Sequence, residues 1–125
     1  MKSYTDLNQS KKLAEILPLE SADMFYRNNE VDVKLMWEHN AHKVKYPCWS
    51  LAALLDVLPP YLFEFERGID LNVYPNLNSK GWHCSYMPNC TENMKTDKFK
   101  LITSEDTLID ACYEMIIKLH EQKLL

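Results

Sequence analysis

The sequence predicts an α+β fold, in which two or three helices pack on one face of a small antiparallel sheet of three to five strands. Three observations lead to this prediction. Residues 103–125 carry an apolar stripe with helical spacing, and residues 47–58 form a compact apolar segment between prolines. Residues 24–37 and 61–102 contain stretches in which apolar and polar side chains alternate, as they do in strands.

The length and composition are those of one globular domain. A chain of 125 residues, 46% of them hydrophobic and 26% charged, can bury a core without disulfides or metals, so we expect a single domain over residues 1–125. We recognise neither a secretory signal nor a long apolar run, and we expect the four cysteines to be thiols. These observations predict a cytoplasmic protein without a membrane partner.

The first part of the chain predicts a helix followed by a hairpin. Residues 5–17 place apolar side chains loosely on one side of a helix that is capped by Thr5 and ends before Pro18. Residues 24–26 and 31–37 are expected to pair as two strands through an Asn-Asn turn. The helix predicted over residues 5–17 should pack through one face only.

A second helix is predicted between two sets of prolines. Residues 39–46 are polar and indicate a loop, Pro47 is tolerated in a first helical turn, and Pro59 stops the helix. The apolar stripe consists of Leu51, Leu54, Leu55 and Leu58. Since Ala52 and Ala53 permit close approach and the segment is apolar almost all round, we expect residues 47–58 to be a deeply buried central helix.

Strand patterns dominate the stretch that follows. Alternation over residues 61–66 and 69–74 precedes a turn at residues 75–81, which contains Pro, Asn and Gly. The returning strand is expected at residues 82–87, and a short one at residues 99–102. These strands supply most of the predicted sheet.

The last stretch predicts an amphipathic helix over residues 103–125. Ser104 is the expected N-cap, and acidic residues follow it where they favour the positive end of the helix dipole. The stripe consists of Leu108, Cys112, Met115 and Leu119, widened by Ile109, Ala111 and Ile116. This helix should pack against the sheet.

Two of these helices carry a resemblance to known proteins. The segments Trp49 to Pro59 and Asp110 to Leu119, with the strand that contains Trp82 and Tyr86 between them, resemble a group of short uncharacterised proteins from gut bacteria, their phages and prophages. The resemblance covers residues 47–125. It implies an α+β fold and a mobile-element origin, hence a host bacterial cytoplasm, and it implies no activity, cofactor or catalytic residue.

The aromatic side chains indicate an interaction surface. Three tryptophans and seven tyrosines are many for this length, and the strands should carry several of them. The candidate surface consists of Tyr74, Trp82 and Tyr86, with Lys43 and Lys45 from a basic loop. We therefore expect a non-catalytic accessory protein that binds an unknown protein partner or a second copy of itself. Between the two interpretations of these aromatic residues, a role in the core is favoured over an exposed surface.

Nucleic-acid binding is an alternative function. Residues 42–46 and 95–100 interleave lysines with aromatic residues, as proteins that bind single strands do. The formal charge of −4 disfavours this alternative, because phosphate neutralisation needs a surplus of basic side chains.

An enzyme is the least favoured hypothesis. A zinc site would use His83, Cys84 and Cys90 with His39 or His42, but the cysteine spacing is wider than in a usual zinc knuckle. A thiol nucleophile would be Cys48, expected at the start of the second helix with His42 near it in sequence. No complete catalytic arrangement is recognised, and no cofactor is predicted.

Overall fold

A computed structural model describes residues 2–27, 30–33, 46–62, 69–88 and 100–125. These residues form three α-helices and two antiparallel sheets, which confirms the α+β prediction. They divide into two compact units, Met1–Val57 and Leu58–Leu125, and each unit is described by itself below. The single domain over residues 1–125 stays a prediction.

The helices are α1 (Leu7–Ala14), α2 (Leu51–Val57) and α3 (Leu108–Glu121), with a 3-10 turn at Leu19–Ser21. The strands are β1 (Met24–Arg27), β2 (Glu30–Val33), β3 (Tyr46–Cys48), β4 (Tyr61–Leu62), β5 (Ile69–Pro75), β6 (Trp82–Pro88) and β7 (Leu101–Glu105). Within the described ranges, no helix has the length and apolar character needed to cross a membrane.

The first unit contains a three-stranded sheet in the order β2-β1-β3. The predicted hairpin is confirmed, since Met24 pairs with Val33 and Arg27 with Glu30. Strand β3 was not predicted, because residues 39–46 were assigned to a loop and Pro47 to the start of a helix. Pro47 is compatible with this strand because β3 lies at the edge of the described sheet, where a missing N–H group is tolerated.

Helix α1 begins with a capping box at Asp6. The Asp6 carboxylate accepts from the Gln9 N–H at 2.8 Å, and the Gln9 side chain accepts from the Asp6 N–H at 3.0 Å. The prediction of Thr5 as the cap is therefore wrong. Thr5 is fully buried, and its hydroxyl lies 2.7 Å from that of Ser10.

Helix α2 begins at Leu51, later than predicted, because the preceding residues belong to β3 and to its connection. Ser50 caps the helix, since its hydroxyl accepts from the Ala53 N–H at 3.2 Å, and its own N–H donates to Asp23 at 2.9 Å. Leu54 is fully buried, whereas Leu55 is 36% exposed. The buried face of this helix is thus narrower than the sequence suggests.

The second unit is built on a four-stranded sheet in the order β4-β5-β6-β7. Alternation along β6 places Trp82, Cys84 and Tyr86 on one face, as predicted. The partners of Cys84 on this face are Val73 on β5 and Thr103 on β7. Helix α3 packs against β6 and β7, and Cys84 and Tyr86 are fully buried.

Helix α3 starts three residues after the end of β7. Its N-cap is Thr107, whose hydroxyl accepts from the Asp110 N–H at 3.1 Å. The prediction of Ser104 as the cap is wrong, because Ser104 belongs to β7. The buried stripe consists of Ile109, Ala111, Cys112, Met115, Ile116 and Leu119.

The turn between β5 and β6 requires a glycine at its end. Gly81 has a φ of 117°, and its carbonyl accepts from the Asn76 N–H at 3.0 Å. A Cβ atom at Gly81 would stand 2.5 Å from the Glu105 carbonyl oxygen, so a side chain would force the turn and β7 apart.

One carbonyl of β7 is bound by a side chain. The Lys118 ammonium of α3 donates to the Ile102 carbonyl at 3.1 Å. Among the described residues β7 pairs only with β6, so this lysine occupies part of the other edge of the strand.

Candidate functional site

The structure separates the three aromatic residues of the predicted interaction surface. Tyr86 is a core residue, with no exposed surface and a hydroxyl that donates to the Pro59 carbonyl at 2.6 Å. Trp82 is half-buried on the face that α3 covers, whereas Tyr74 is 38% exposed on the opposite face. Lys43 and Lys45 lie outside the described residues. The favoured core interpretation therefore holds for Tyr86, and Tyr74 is the exposed member.

Tyr74 belongs to a row of three side chains across the sheet, which we call the imidazole cluster: Tyr74, His83 and Ser104. They are direct partners in register, since Tyr74 pairs with His83 and His83 with Ser104. The tyrosine and imidazole rings lie with their centroids 5.0 Å apart and their planes tilted by 43°. His83 Nδ1 lies 2.6 Å from Ser104 Oγ, which fixes the orientation of the imidazole.

The imidazole cluster leaves one nitrogen of the imidazole outside its internal hydrogen bond. The hydrogen bond to Ser104 uses His83 Nδ1, and Nε2 is the remaining ring nitrogen that can donate or accept. An aromatic ring, an imidazole and a hydroxyl thus stand side by side on one face of the sheet.

The residues of the zinc hypothesis are not brought together where the structure describes them. His83 and Cys84 are neighbours on β6 and point to opposite faces, with Cys84 fully buried. Cys90, His39 and His42 lie outside the described residues. In the segments that are described, no group of three His, Cys, Asp or Glu side chains is arranged to hold a metal.

Cys48 is not placed at a helix N-terminus, as the thiol hypothesis requires. It ends strand β3, has no exposed surface, and donates to the Thr5 carbonyl at 3.4 Å. Burial raises the pKa of the Cys48 thiol, although hydrogen bonds to Thr5 and Ser10 oppose this shift. A thiol that retains its proton is a weak nucleophile, and its hypothetical partner His42 lies outside the described residues.

Most of both lysine-rich loops, residues 42–46 and 95–100, lies outside the described residues. Their described members are Tyr46 and Lys100, and both are exposed. The Tyr46 ring is approached by Lys11 of α1, whose ammonium lies 4.9 Å from the ring centroid. Lys11 was not part of the predicted surface.

Ser104 and the place of His83 beside Tyr74 were not predicted from the sequence. The predicted strands at residues 69–74 and 82–87 and the turn between them are sufficient to bring Tyr74 opposite His83. Ser104 was assigned to the last helix, which removed the third strand from consideration. The signal that extends the strand to Ser104 is the two-residue period in which Leu101 and Thr103 share one buried face.

Comparisons with protein-family models, with curated proteins and with solved structures find no match to this chain.

Proposed function

We propose that this protein is a non-catalytic binding protein that recognises another protein through the imidazole cluster. The observation that supports the proposal is an exposed Tyr74 ring held against His83, which Ser104 fixes in turn. These side chains project from paired strands, so little conformational entropy is lost when a partner orders them. Exposed aromatic residues with this rigidity are frequent among residues that dominate binding energy.

The chemistry around the cluster favours a basic partner segment. Asp70 and Asn72 are exposed and precede Tyr74 on the same face of β5. A tyrosine ring face attracts a lysine or arginine cation, and a carboxylate on the same strand adds to that attraction. The protein as a whole carries a formal charge of −4, which has the same sign. We therefore propose a partner protein that presents a lysine or arginine.

The proposed setting is that of an accessory protein of a phage or another mobile element, in the cytoplasm of its bacterial host. This part of the proposal rests on the resemblance of residues 47–125 to proteins of such elements.

The test begins with a partner isolated from a host lysate and purified, followed by titration of single variants against it. Tyr74→Ala should weaken binding by tenfold or more, because a truncated aromatic anchor commonly costs about 2 kcal/mol of binding energy. The matched control is Tyr61→Ala on β4, since Tyr61 is 46% exposed and lies outside the cluster. Circular dichroism checks that both variants fold.

Equal affinities of the parent and of Tyr74→Ala would contradict the proposal. A parent protein that stays monomeric and retains no host protein would contradict it as well. Binding of single-stranded nucleic acid that weakens steeply with salt would instead support the alternative based on the lysine-rich loops.

A further inference from the structure

Two cysteines of the second unit lie against each other between the sheet and the last helix. Cys84 on β6 and Cys112 on α3 have no exposed surface. Their backbones are joined through Thr103, the register partner of Cys84 on β7. The Thr103 hydroxyl lies 3.4 Å from the Cys84 carbonyl and donates to the carbonyl of Ala111, the residue before Cys112, at 2.6 Å. Cys112 is thereby held over Cys84.

Each of the two thiols affects the ionisation of the other. The neighbouring Cys112 thiol, followed by burial, raises the pKa of the Cys84 thiol. The neighbouring Cys84 thiol lowers the pKa of Cys112.

We propose that Cys84 and Cys112 are an oxidisable pair that forms a disulfide between β6 and α3. The Thr103 bridge and the burial of both residues in one contact between sheet and helix support this assignment. The inference is independent of the imidazole cluster, which lies on the other face of the sheet.

Hydrogen peroxide can oxidise the two thiols to a disulfide in two steps. One of the two sulfurs attacks one oxygen of hydrogen peroxide, the O–O bond breaks, and a sulfenic acid and one water form. The other sulfur then attacks the sulfur of the sulfenic acid, the S–O bond breaks, and the S–S bond forms with release of a second water. The two thiols lose two electrons and two protons in total, and the peroxide gains them.

The burial of Cys84 and Cys112 determines how fast they react with an oxidant. An oxidant reaches Cys112 only when α3 opens locally, so formation should be slower than for an exposed thiol. Once formed, the disulfide closes a loop from residue 84 to residue 112 and restricts the unfolded chain. The disulfide thus links α3 covalently to β6 under oxidising conditions and releases it under reducing ones.

The test treats the reduced protein with hydrogen peroxide under native conditions, alkylates the remaining thiols and maps the peptides by mass spectrometry. We expect one linked pair, Cys84 with Cys112, and a mass lower by two hydrogens. The melting temperature should rise by about 10 °C and return to its original value with dithiothreitol. Cys48→Ser should retain the linkage and the shift, whereas Cys112→Ser should lose both.

The peptide map of the parent protein decides the proposal even if Cys112→Ser does not fold. A linkage that involves Cys48 or Cys90 would overturn the proposal. So would oxidation of Cys112 to a sulfinic acid without a linkage, or a Cys84–Cys112 linkage that forms only in denaturant.

Discussion

Tyr86 combines two roles within one side chain. Its ring is fully buried under α3, and its hydroxyl binds the Pro59 carbonyl, just before β4. Burial, with lesser contributions from the nearby Cys84 and Cys112, raises the pKa of the Tyr86 phenol well above its usual value. Tyr86 therefore links the stability of the second unit to pH in the alkaline range.

We predict that Tyr86→Phe is less stable than the parent at neutral pH and less sensitive to alkali. Loss of the hydrogen bond to Pro59 should cost about 1 kcal/mol of unfolding free energy. Since the folded-state pKa lies above the unfolded value of about 10, stability is retained below that pH and falls as the pH rises through it. Tyr86→Phe should remove part of that fall.

The measurement is urea unfolding followed by circular dichroism across the neutral and alkaline range. Tyr74→Phe is the control, because Tyr74 is exposed and its hydroxyl is not part of the core. Parallel stability profiles for the parent and Tyr86→Phe would show that the Tyr86 phenol is not protected from ionisation by folding.

Thr5 shows where single residues could not be predicted from the sequence. A threonine before an amphipathic segment is typical of a helix cap, and the structure uses Asp6 in this role instead. The Thr5 hydroxyl accepts from the Trp49 N–H at 3.2 Å and contacts Ser10. Its partner Trp49 is 44 positions away in the chain. No local pattern therefore indicates that the Thr5 side chain is buried and hydrogen-bonded to a distant part of the chain.

At the scale of elements, α3 contributes six of the buried apolar side chains in the described part of the second unit. Its period was predicted correctly, because six buried side chains recur with helical spacing. Its stripe is rotated slightly relative to the prediction, since Ile109 is buried and Leu108 is half-buried. The sequence alone could not settle this choice, because two adjacent apolar residues satisfy the same helical period.

We predict that Met115→Asp unfolds the second unit. Met115 has no exposed surface, and burial of its side chain contributes about 1.5 to 3 kcal/mol. An unpaired carboxylate in its place adds a desolvation cost, so the total loss should be about 4 kcal/mol or more, which is comparable to the stability of a small domain. Circular dichroism and thermal melting measure the loss.

Ile117→Asp is the matched control on the same helix. Ile117 is half-buried, and its aspartate can reach water, so the melting temperature should fall much less than for Met115→Asp. Similar melting temperatures for both variants would mean that the buried face of α3 has been misassigned.

The short strands were harder to predict than the helices. β3 and β4 contain three and two residues, too few for an alternating pattern to stand out from a loop. The pairing of β5 with β6 was expected because the turn between them has clear turn residues. Of the candidate site, Tyr74 was predicted as a surface residue. Ser104 could have been added to the site only by a prediction that β7 extends beyond residue 102.

At the scale of the whole molecule, the size of each compact unit bears on whether the chain folds as one domain or as two. The units Met1–Val57 and Leu58–Leu125 are each shorter than the length at which a single hydrophobic core commonly gives large stability. We therefore retain the prediction of a single domain over residues 1–125, in which the two units unfold together.

The fluorescence of two tryptophans can test whether the two units unfold together. Trp49 lies in the first unit and is fully buried, and Trp82 lies in the second and is half-buried. Variants that retain only one of them, with Phe in place of the others, should show the same urea midpoint by fluorescence. Separate midpoints for Trp49 and Trp82 would show two independently folding domains.

The hydrogen bond from Lys118 to the Ile102 carbonyl has a consequence for solubility. An unpaired strand edge is a template on which the edge of another molecule can add, and repeated addition leads to aggregates. The Lys118 ammonium both fills an acceptor on β7 and places a positive charge beside the strand. A second copy that approached this edge would have to displace that charge, so we expect Lys118 to oppose the addition of strands from other molecules.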